Sequence, residues 1–193
     1  MITDILISRT EGNICIRTAT EADKDDYVSL ELGDDMLKSF LKVGAEKEID
    51  VPEIIWNERY EKDCIMFAIV ELSSGKTVGF CEIEHISSNE PTIGITLADG
   101  YRGKGYGYLA AKMMIEEGWR IFNFPYFIWE LIQDNIASRK LVLKLGGKLI
   151  NNRCVLPDHV IKVMHEKGIE VNPNDYPNSV ERYKIDRPES FCK

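Results

Sequence analysis

Two hydrophobic periods divide the chain into predicted strands and predicted helices. Alternating apolar and polar residues, or a short run rich in β-branched and aromatic residues, is typical of a strand. The predicted strands are residues 13–20, 65–72, 76–86, 92–97, 126–132, 148–153 and 181–186. The turn sequence Ser-Ser-Gly-Lys at 73–76 joins the second and third strands into a hairpin.

Apolar residues spaced three and four apart predict helices between these strands. Thr20 is a predicted N-cap for the first helix, and Pro52 lies at the start of the third. The predicted helices are residues 21–33, 34–45, 51–63, the segment after Gly107, and 135–147. The segment after Gly107 carries an apolar stripe, Ala110, Met114 and Ile121, that is expected to pack on the sheet. In the last helix, Ala137, Leu141 and Leu145 have the spacing i, i+4 and i+8.

The resulting order, β-α-α-α-β-β-β-α-β-α-β-β, mixes hairpins with helical crossovers and predicts an α+β, or mixed α/β, fold. We expect the 193 residues to form a single domain with a long insertion at about 153–179, between the last two strands. A connection of that length in a compact domain tends to be functional or disordered.

Charge and cysteine usage narrow the classes of function. The chain is 44% hydrophobic and 29% charged, which is typical of a soluble globular protein, and its net charge of -8 argues against nucleic-acid binding and favours positively charged partners. Five scattered cysteines predict reduced thiols and a cytoplasmic location. Without a basic leader or a run of about 20 apolar residues, no export or membrane insertion is expected.

The glycine segment YRGKGYG, residues 101–107, joins a predicted strand to a predicted helix. It lacks the Gly-Lys-Ser/Thr of a Walker loop and the third glycine of a dinucleotide fingerprint. Glycines permit positive φ and close approach of the backbone, and amides that open a helix bind anions. The glycine segment therefore predicts an anion site assisted by Arg102 and Lys104, or else only a tight turn between strand and helix.

Within the glycine segment, the pattern R-x-x-G-x-G resembles the pyrophosphate loop of the GCN5-related N-acetyltransferases (the GNAT family), close to its ribosomal-protein N-terminal acetyltransferase-like branch. The segment NIASRKLVLKLGG is similar to the family's second signature, with Asn135, Ser138 and Gly146 at the matching positions. The resemblance covers nearly the whole chain in element order. It implies a central twisted, mostly antiparallel sheet with a splayed parallel pair, TIGITL and YFIWELI, and helices on both faces.

The same resemblance implies that the chain binds acetyl-CoA as a co-substrate. Backbone amides near Thr96 and Leu97 would bind the pantetheine arm and the thioester carbonyl, and the glycine segment would bind the pyrophosphate. The implied cofactor-binding residues are Thr96, Leu97, Arg102, Gly103, Lys104, Gly105, Tyr106, Gly107 and Asn135.

Transfer of an acetyl group to an amine needs a group that removes a proton from the ammonium, because only the free amine attacks the thioester. Glu82 and Glu84 lie on one face of a predicted strand, and Glu90 lies just before the next one. Each is a candidate base, directly or through water, or a group that recognises a cationic acceptor. Glu82 and Glu84 could instead be the solvated face of a half-covered sheet. Many relatives carry a tyrosine that protonates the leaving thiolate, but Val142 occupies its position here. Ser138 is then the best candidate acid, although it could instead hydrogen-bond the cofactor or start the helix.

The chain is therefore predicted to be an N-acetyltransferase that acts on a primary amine, either a protein N-terminus or a small molecule, by direct attack in a ternary complex. The alternative is a non-catalytic acyl-CoA-binding or sensing domain of the same fold. Cys154, His159 and His165 lack a fourth ligand, so no metal is predicted. A monomer and a homodimer are both open, and the segment 153–179 is expected on the acceptor side.

Overall fold

Antiparallel hairpins build the sheet of the N-terminal half. The computed structural model describes residues 5–33, 50–60, 63–153 and 180–191, which belong to two compact units, Met1–Phe124 (the N-terminal unit) and Pro125–Lys193 (the C-terminal unit). Strands of the N-terminal unit pair in chain order, each antiparallel to the next. They are β1 (Ser8–Glu11), β2 (Ile14–Thr18), β3 (Cys64–Glu71), β4 (Lys76–Glu84) and β5 (Thr92–Leu97).

Two helical segments cover one face of this sheet. Helix α1 occupies residues 24–33 after a short 3-10 turn at Glu21–Asp23, and α2 occupies Val51–Tyr60. They pack against alternate residues of β3 and β4, as the period of two in a strand requires. The buried residues of this cluster are Ala19, Tyr27, Val28, Trp56, Met66, Ala68 and Phe80.

Helix α3 (Tyr106–Phe122) covers the opposite face. Arg9, which pairs with the buried Ile16, forms ion pairs with Glu116 and Glu117 of α3. Ala110 and Met114 are fully buried as the apolar stripe predicts, but Ile121 is 37% exposed, because it lies in the last turn of the helix.

In its described residues, 125–153 and 180–191, the C-terminal unit has three strands and one α-helix. Strand β6 (Tyr126–Ile132) pairs antiparallel with β8 (Val180–Asp186), which pairs antiparallel with β7 (Lys148–Arg153). Helix α4 (Ile136–Lys144) precedes a glycine turn. The residues at helical spacing are not its most buried ones: Ala137 is exposed, Leu141 and Leu145 are half-buried, and Val142 is fully buried.

Most predicted elements of the described residues are confirmed, with one omission. Strand β1 has the sequence SRTE, with no apolar residue, so hydrophobic periodicity cannot reveal it. The predicted helix at 34–45 and nearly all of the insertion at 153–179 lie outside the described residues, and the single-domain organisation stays a prediction. Among the described residues, no helix combines the length and the apolar character that a membrane crossing requires.

Candidate functional site

Two residues of the glycine segment have a backbone conformation that favours glycine. Gly103 and Gly105 have φ of 77° and 83°, in the left-handed region, and no atom lies within 4 Å of a Cβ built on either. Conformation, rather than lack of space, therefore requires glycine at both positions. Helix α3 begins at the next residue, and its first internal hydrogen bond runs from Leu109 N–H to Gly105 O, at 3.2 Å. Amides before that bond have no carbonyl to reach inside the helix.

Two cationic side chains flank these glycines. Arg102 is 69% exposed; its Nε donates to Leu97 O at 3.2 Å, and its guanidinium lies 3.5 Å from Asp99. Lys104 is exposed, with Nζ 4.6 Å from the centroid of the Tyr101 ring. Exposed cations beside a helix N-terminus favour an anionic ligand, since the helix dipole adds to their charge.

Tyr106 lies in the glycine segment, but its side chain is buried. The ring is 8% exposed, the hydroxyl donates to Glu71 Oε1 at 2.8 Å, and Asn13 Nδ2 donates to the same hydroxyl at 3.1 Å. The hydrogen bond to Glu71 raises the pKa of Tyr106, and the hydrogen bonds from Tyr106 and then Ser74 lower the pKa of Glu71. The backbone amide of Tyr106 is therefore the group left for the predicted role in anion binding.

A cavity of about 490 Å³ lies beside the glycine segment, within the N-terminal unit. The start of β4, the end of β5 and α1 form its walls, and the predicted cofactor-binding residues Leu97 and Arg102 are among its lining. None of the α1 residues in this lining was predicted, because periodicity does not say which helix residues border a cavity. The lining residues are Asp26, Ser29, Leu30, Gly33, Thr77, Val78, Gly79, Phe80, Leu97, Ala98, Asp99 and Arg102.

One wall of this cavity depends on Gly79. A Cβ at Gly79 would lie 2.3 Å from Thr96 O and 2.7 Å from Leu97 Cδ2, so β4 and β5 approach too closely for any other residue. The register of β3 with β4 also shifts here and leaves Val78 without a partner on β3, which is a β-bulge. A glycine inside a strand pattern indicates such a close approach, so this feature was detectable in the sequence.

The candidate bases Glu82 and Glu84 are half-buried on β4. Glu82 lies opposite Met66 on β3, so both glutamates are on the face that α1 and α2 cover. Glu82 also lies opposite Gly94, and a Cβ at Gly94 would be 2.8 Å from Glu82 Oε1. The Glu82 carboxylate therefore extends over β5, on the same face as Thr96, which pairs with Phe80.

In the C-terminal unit, Asn135 and Ser138 form the N-cap of α4. Asn135 Oδ1 accepts a hydrogen bond from Ser138 N–H at 3.0 Å, which leaves the side-chain nitrogen of Asn135 for the predicted pantetheine contact. Ser138 Oγ accepts a hydrogen bond from Trp129 Nε1 at 2.9 Å, and Trp129 is 2% exposed. This bond between helix and strand was not predicted, because it joins residues of two elements.

Two further contacts join α4 to β8 and to the glycine turn that follows the helix. Arg139 Nε donates to Glu181 Oε2 at 2.8 Å, and this hydrogen bond lowers the pKa of Glu181. Val142, at the position where many relatives carry tyrosine, is fully buried, and its Cγ2 is 2.6 Å from where a Cβ of Gly147 would lie. An apolar side chain therefore lies where the family resemblance implies the commonest general acid.

Among the described residues, no three His, Cys, Asp or Glu side chains are grouped to hold a metal ion. The candidate ligands Cys154, His159 and His165 lie outside those residues.

Comparison with known proteins identifies the family. The acetyltransferase (GNAT) domain profile matches residues 13–148. Among solved structures, a spermidine N-acetyltransferase chimera from Vibrio cholerae has a TM-score of 0.65 at 13% identity, covering 94% of this chain and 99% of its own. A GNAT acetyltransferase from Bacillus anthracis has a TM-score of 0.64 at 14% identity, covering 93% of this chain and 98% of its own.

A ribosomal-protein-S5-alanine acetyltransferase from Vibrio fischeri has a TM-score of 0.60 at 14% identity, covering 94% of this chain and 100% of its own. No curated protein sequence gives a significant match. Likeness at these identities shows the fold, and it confirms the predicted α+β class. Since the domain profile spans well over half of the sequence, the chain belongs to the GNAT acetyltransferase family.

Proposed function

We propose that the chain transfers the acetyl group of acetyl-CoA to a primary amine by direct attack in a ternary complex. The amine nitrogen bonds to the thioester carbonyl carbon, the carbon–sulfur bond breaks, the amine loses a proton, and the departing thiolate gains one. The observation that carries this proposal is the glycine segment, which combines left-handed glycines, a helix N-terminus and two exposed cations, one of which, Arg102, lines a cavity.

The donor is held mainly by backbone groups. Amides of residues 103–107 bind the diphosphate, with Arg102 and Lys104 adding charge, and the ends of β5 at Thr96 and Leu97 bind the pantetheine arm and the carbonyl. Open space beside Gly103 and Gly105 supports this assignment, because a diphosphate needs room to approach the amides. Asn135 contacts the pantetheine through its side-chain nitrogen.

Proton transfer is assigned to one glutamate, as the base, and to one serine, as the acid. Glu82 or Glu84 removes the proton from the amine, directly or through water, and Ser138 gives a proton to the thiolate. The half-buried position of the glutamates supports a role as base, because lowered exposure to water strengthens their interaction with a cation. Since a thiol has a pKa of about 8.5, the acid accelerates the reaction without being essential to it.

The acceptor is a primary amine, either a small molecule or a protein N-terminus. The net charge of -8 favours a cationic acceptor over an anionic one. Structures with the same fold include enzymes named for spermidine, for the alanine of ribosomal protein S5 and for a ribosomal-protein serine. These three amines define the first panel of acceptors. The proposal also includes a cytoplasmic location and a monomer or a homodimer.

A second candidate function is a non-catalytic acyl-CoA-binding or sensing domain. The observation that favours it is the burial of Val142, since an apolar residue there cannot protonate a thiolate. Such a domain would bind acetyl-CoA and release no free thiol with any amine.

The deciding experiment measures acetyl-CoA binding by calorimetry and free-thiol release with spermidine and with peptides that begin in alanine or serine. Binding with turnover supports the enzyme, and binding without turnover on a broad set of amines supports the sensing domain. Gly105→Glu should abolish binding, because it adds a negative charge and bulk beside the amides. Gly105→Ala carries the same backbone strain without the charge and is the matched control. Unchanged affinity in Gly105→Glu would contradict the assignment of the glycine segment.

A further inference from the structure

The side chain of Tyr106 ties the first turn of α3 to two other parts of the N-terminal unit. Its hydroxyl donates to Glu71, the last residue of β3, at 2.8 Å, and it accepts from Asn13, in the β1–β2 turn, at 3.1 Å. A phenol oxygen that donates one hydrogen bond and accepts another has a defined direction. With the ring 8% exposed, packing restricts it further.

Glu71 is itself held in place. Ser74 Oγ donates to Glu71 Oε2 at 2.8 Å, while Tyr106 occupies the other carboxylate oxygen. These hydrogen bonds, Tyr106 first, lower the pKa of Glu71, and the charge of Lys104 contributes in the same direction. The carboxylate is therefore ionised at neutral pH, and a hydrogen bond to an ionised acceptor is stronger than one between neutral groups.

The side-chain hydrogen bonds that hold the glycine segment lie on either side of its two left-handed glycines. No atom is within 4 Å of a Cβ at Gly103 or Gly105, and glycine has the least restricted backbone of any residue. Before them, Arg102 Nε bonds to Leu97 O; after them, Tyr106 bonds to Glu71. The direction of the first amides of α3 thus depends on the anchor that follows the glycines.

We propose that Tyr106 is a positioning residue for the acyl donor. Through its hydrogen bond to Glu71 it fixes the amides at the start of α3 in the direction that the donor's diphosphate requires, and the phenol itself does not touch the donor. This inference rests on the proposed function, because it assumes that these amides bind the diphosphate of acetyl-CoA. Binding to a fixed array of donors is stronger than binding to a mobile one, since less conformational entropy is lost.

The test compares two acetyl donors that differ in the diphosphate. Acetyl-CoA carries it and acetyl-pantetheine does not. In Tyr106→Phe, the KM and Kd for acetyl-CoA should rise roughly tenfold, as expected for a lost hydrogen bond to a charged group. Those for acetyl-pantetheine should change less than about twofold, and kcat at saturating donor should stay within about twofold, since the thioester site is untouched.

The matched control is Tyr183→Phe. It removes a hydroxyl that donates to Glu181 at 2.9 Å in the C-terminal unit, and it should not alter the preference between the two donors. Hydrogen exchange gives a second readout: amides of residues 109–112, the first hydrogen-bonded amides of α3, should exchange faster in Tyr106→Phe than in the wild type. Asn13→Ala, which removes the other hydrogen bond to the phenol, should shift the acetyl-CoA Kd in the same direction by a smaller factor.

The outcomes separate this inference from the function beneath it. If the wild type binds neither donor, the proposed function fails and the inference fails with it. If the wild type binds acetyl-CoA, the proposed function stands. The positioning role of Tyr106 is overturned if Tyr106→Phe then binds both donors with wild-type affinity, or loses affinity for both equally.

Discussion

The indole N–H of Trp129 donates a hydrogen bond to Ser138 Oγ, across 2.9 Å between β6 and α4. Because the hydroxyl oxygen accepts this bond, its own proton is directed elsewhere, and donation from the indole makes that proton a better donor. Asn135 orients the same residue through its backbone N–H. The arrangement supports both candidate roles of Ser138, as a proton donor and as part of the helix cap.

Ser138→Ala separates these roles. If the hydroxyl protonates the leaving thiolate, kcat should fall roughly tenfold, at the low end for a general acid because a thiolate is a good leaving group. The cap should persist, since Asn135 binds the backbone of Ser138 rather than its side chain. Thiol release under saturating donor and amine measures the effect. Trp129→Phe keeps the hydroxyl and removes the indole donor. It should cost about 2 kcal/mol of unfolding free energy, because it also leaves a cavity at a buried position. An unchanged kcat in Ser138→Ala would leave the hydroxyl a structural role only.

Replacing Glu82 by Gln tests the base. The carboxylate extends over Gly94 on β5, so we expect kcat/KM for the amine to fall roughly a hundredfold in Glu82→Gln. Glu84→Gln, two residues along the same strand face, is the matched comparison and should have a smaller effect. Gly94→Ala adds a Cβ 2.8 Å from Glu82 Oε1 and should displace that carboxylate, which lowers activity with little loss of stability because the side chain can move. A larger loss in Glu84→Gln than in Glu82→Gln would assign the base to Glu84.

Gly79→Ala should destabilise the N-terminal unit severely. Its Cβ would lie 2.3 Å from the backbone oxygen of Thr96, which cannot move without disrupting the β4–β5 ladder. We expect a loss of about 3 kcal/mol in the free energy of unfolding, as for severe overpacking. Gly75→Ala is the control, since its φ is 68° and no atom lies within 4 Å. Backbone strain alone should cost it about 1 kcal/mol. Urea unfolding measures both variants, and equal losses would contradict the steric account.

Acid should weaken the contact between β2 and the turn before α1. Arg17 forms two 2.7 Å hydrogen bonds with Asp23, whose side chain is 4% exposed. Burial alone would raise the pKa of Asp23, but hydrogen bonds from Arg17 and Thr20 outweigh it and lower that pKa below its ordinary value of 3.8. The folded state therefore favours the ionised form, so its contribution is present above that ordinary value and is lost as pH falls through the folded pKa.

Unfolding free energies measured from about pH 2 to pH 6 check this effect. Asp23→Asn should reduce stability at neutral pH by about 2 kcal/mol, less than for a fully buried pair, because Arg17 is 37% exposed. It should also flatten the decline of stability in acid. Asp25→Asn, at an exposed position, should stay within about 0.5 kcal/mol of the wild type at neutral pH. If the free energy of unfolding falls as steeply in acid in Asp23→Asn as in the wild type, Asp23 is ruled out as the source of that decline.

The sequence by itself determined most strands and helices of the described residues, because a buried face leaves a period of two or of 3.6 in the pattern of apolar residues. It also located the glycine segment, since Gly103 and Gly105 adopt conformations that other residues rarely reach. Both properties are local. The family resemblance rests on the same local motifs, and the domain match confirms the family.

The tertiary structure alone decided which side chains meet across elements. Strand β1 has no hydrophobic pattern and is held by pairing with β2 and by ion pairs from Arg9 to α3. The hydrogen bonds from Tyr106 to Glu71 and from Trp129 to Ser138 also join residues of different elements. Helix α4 buries Val142 rather than Leu141, which depends on how the helix is rotated against its sheet. Contacts of this kind follow from packing in three dimensions, which a one-dimensional spacing of residue types does not encode.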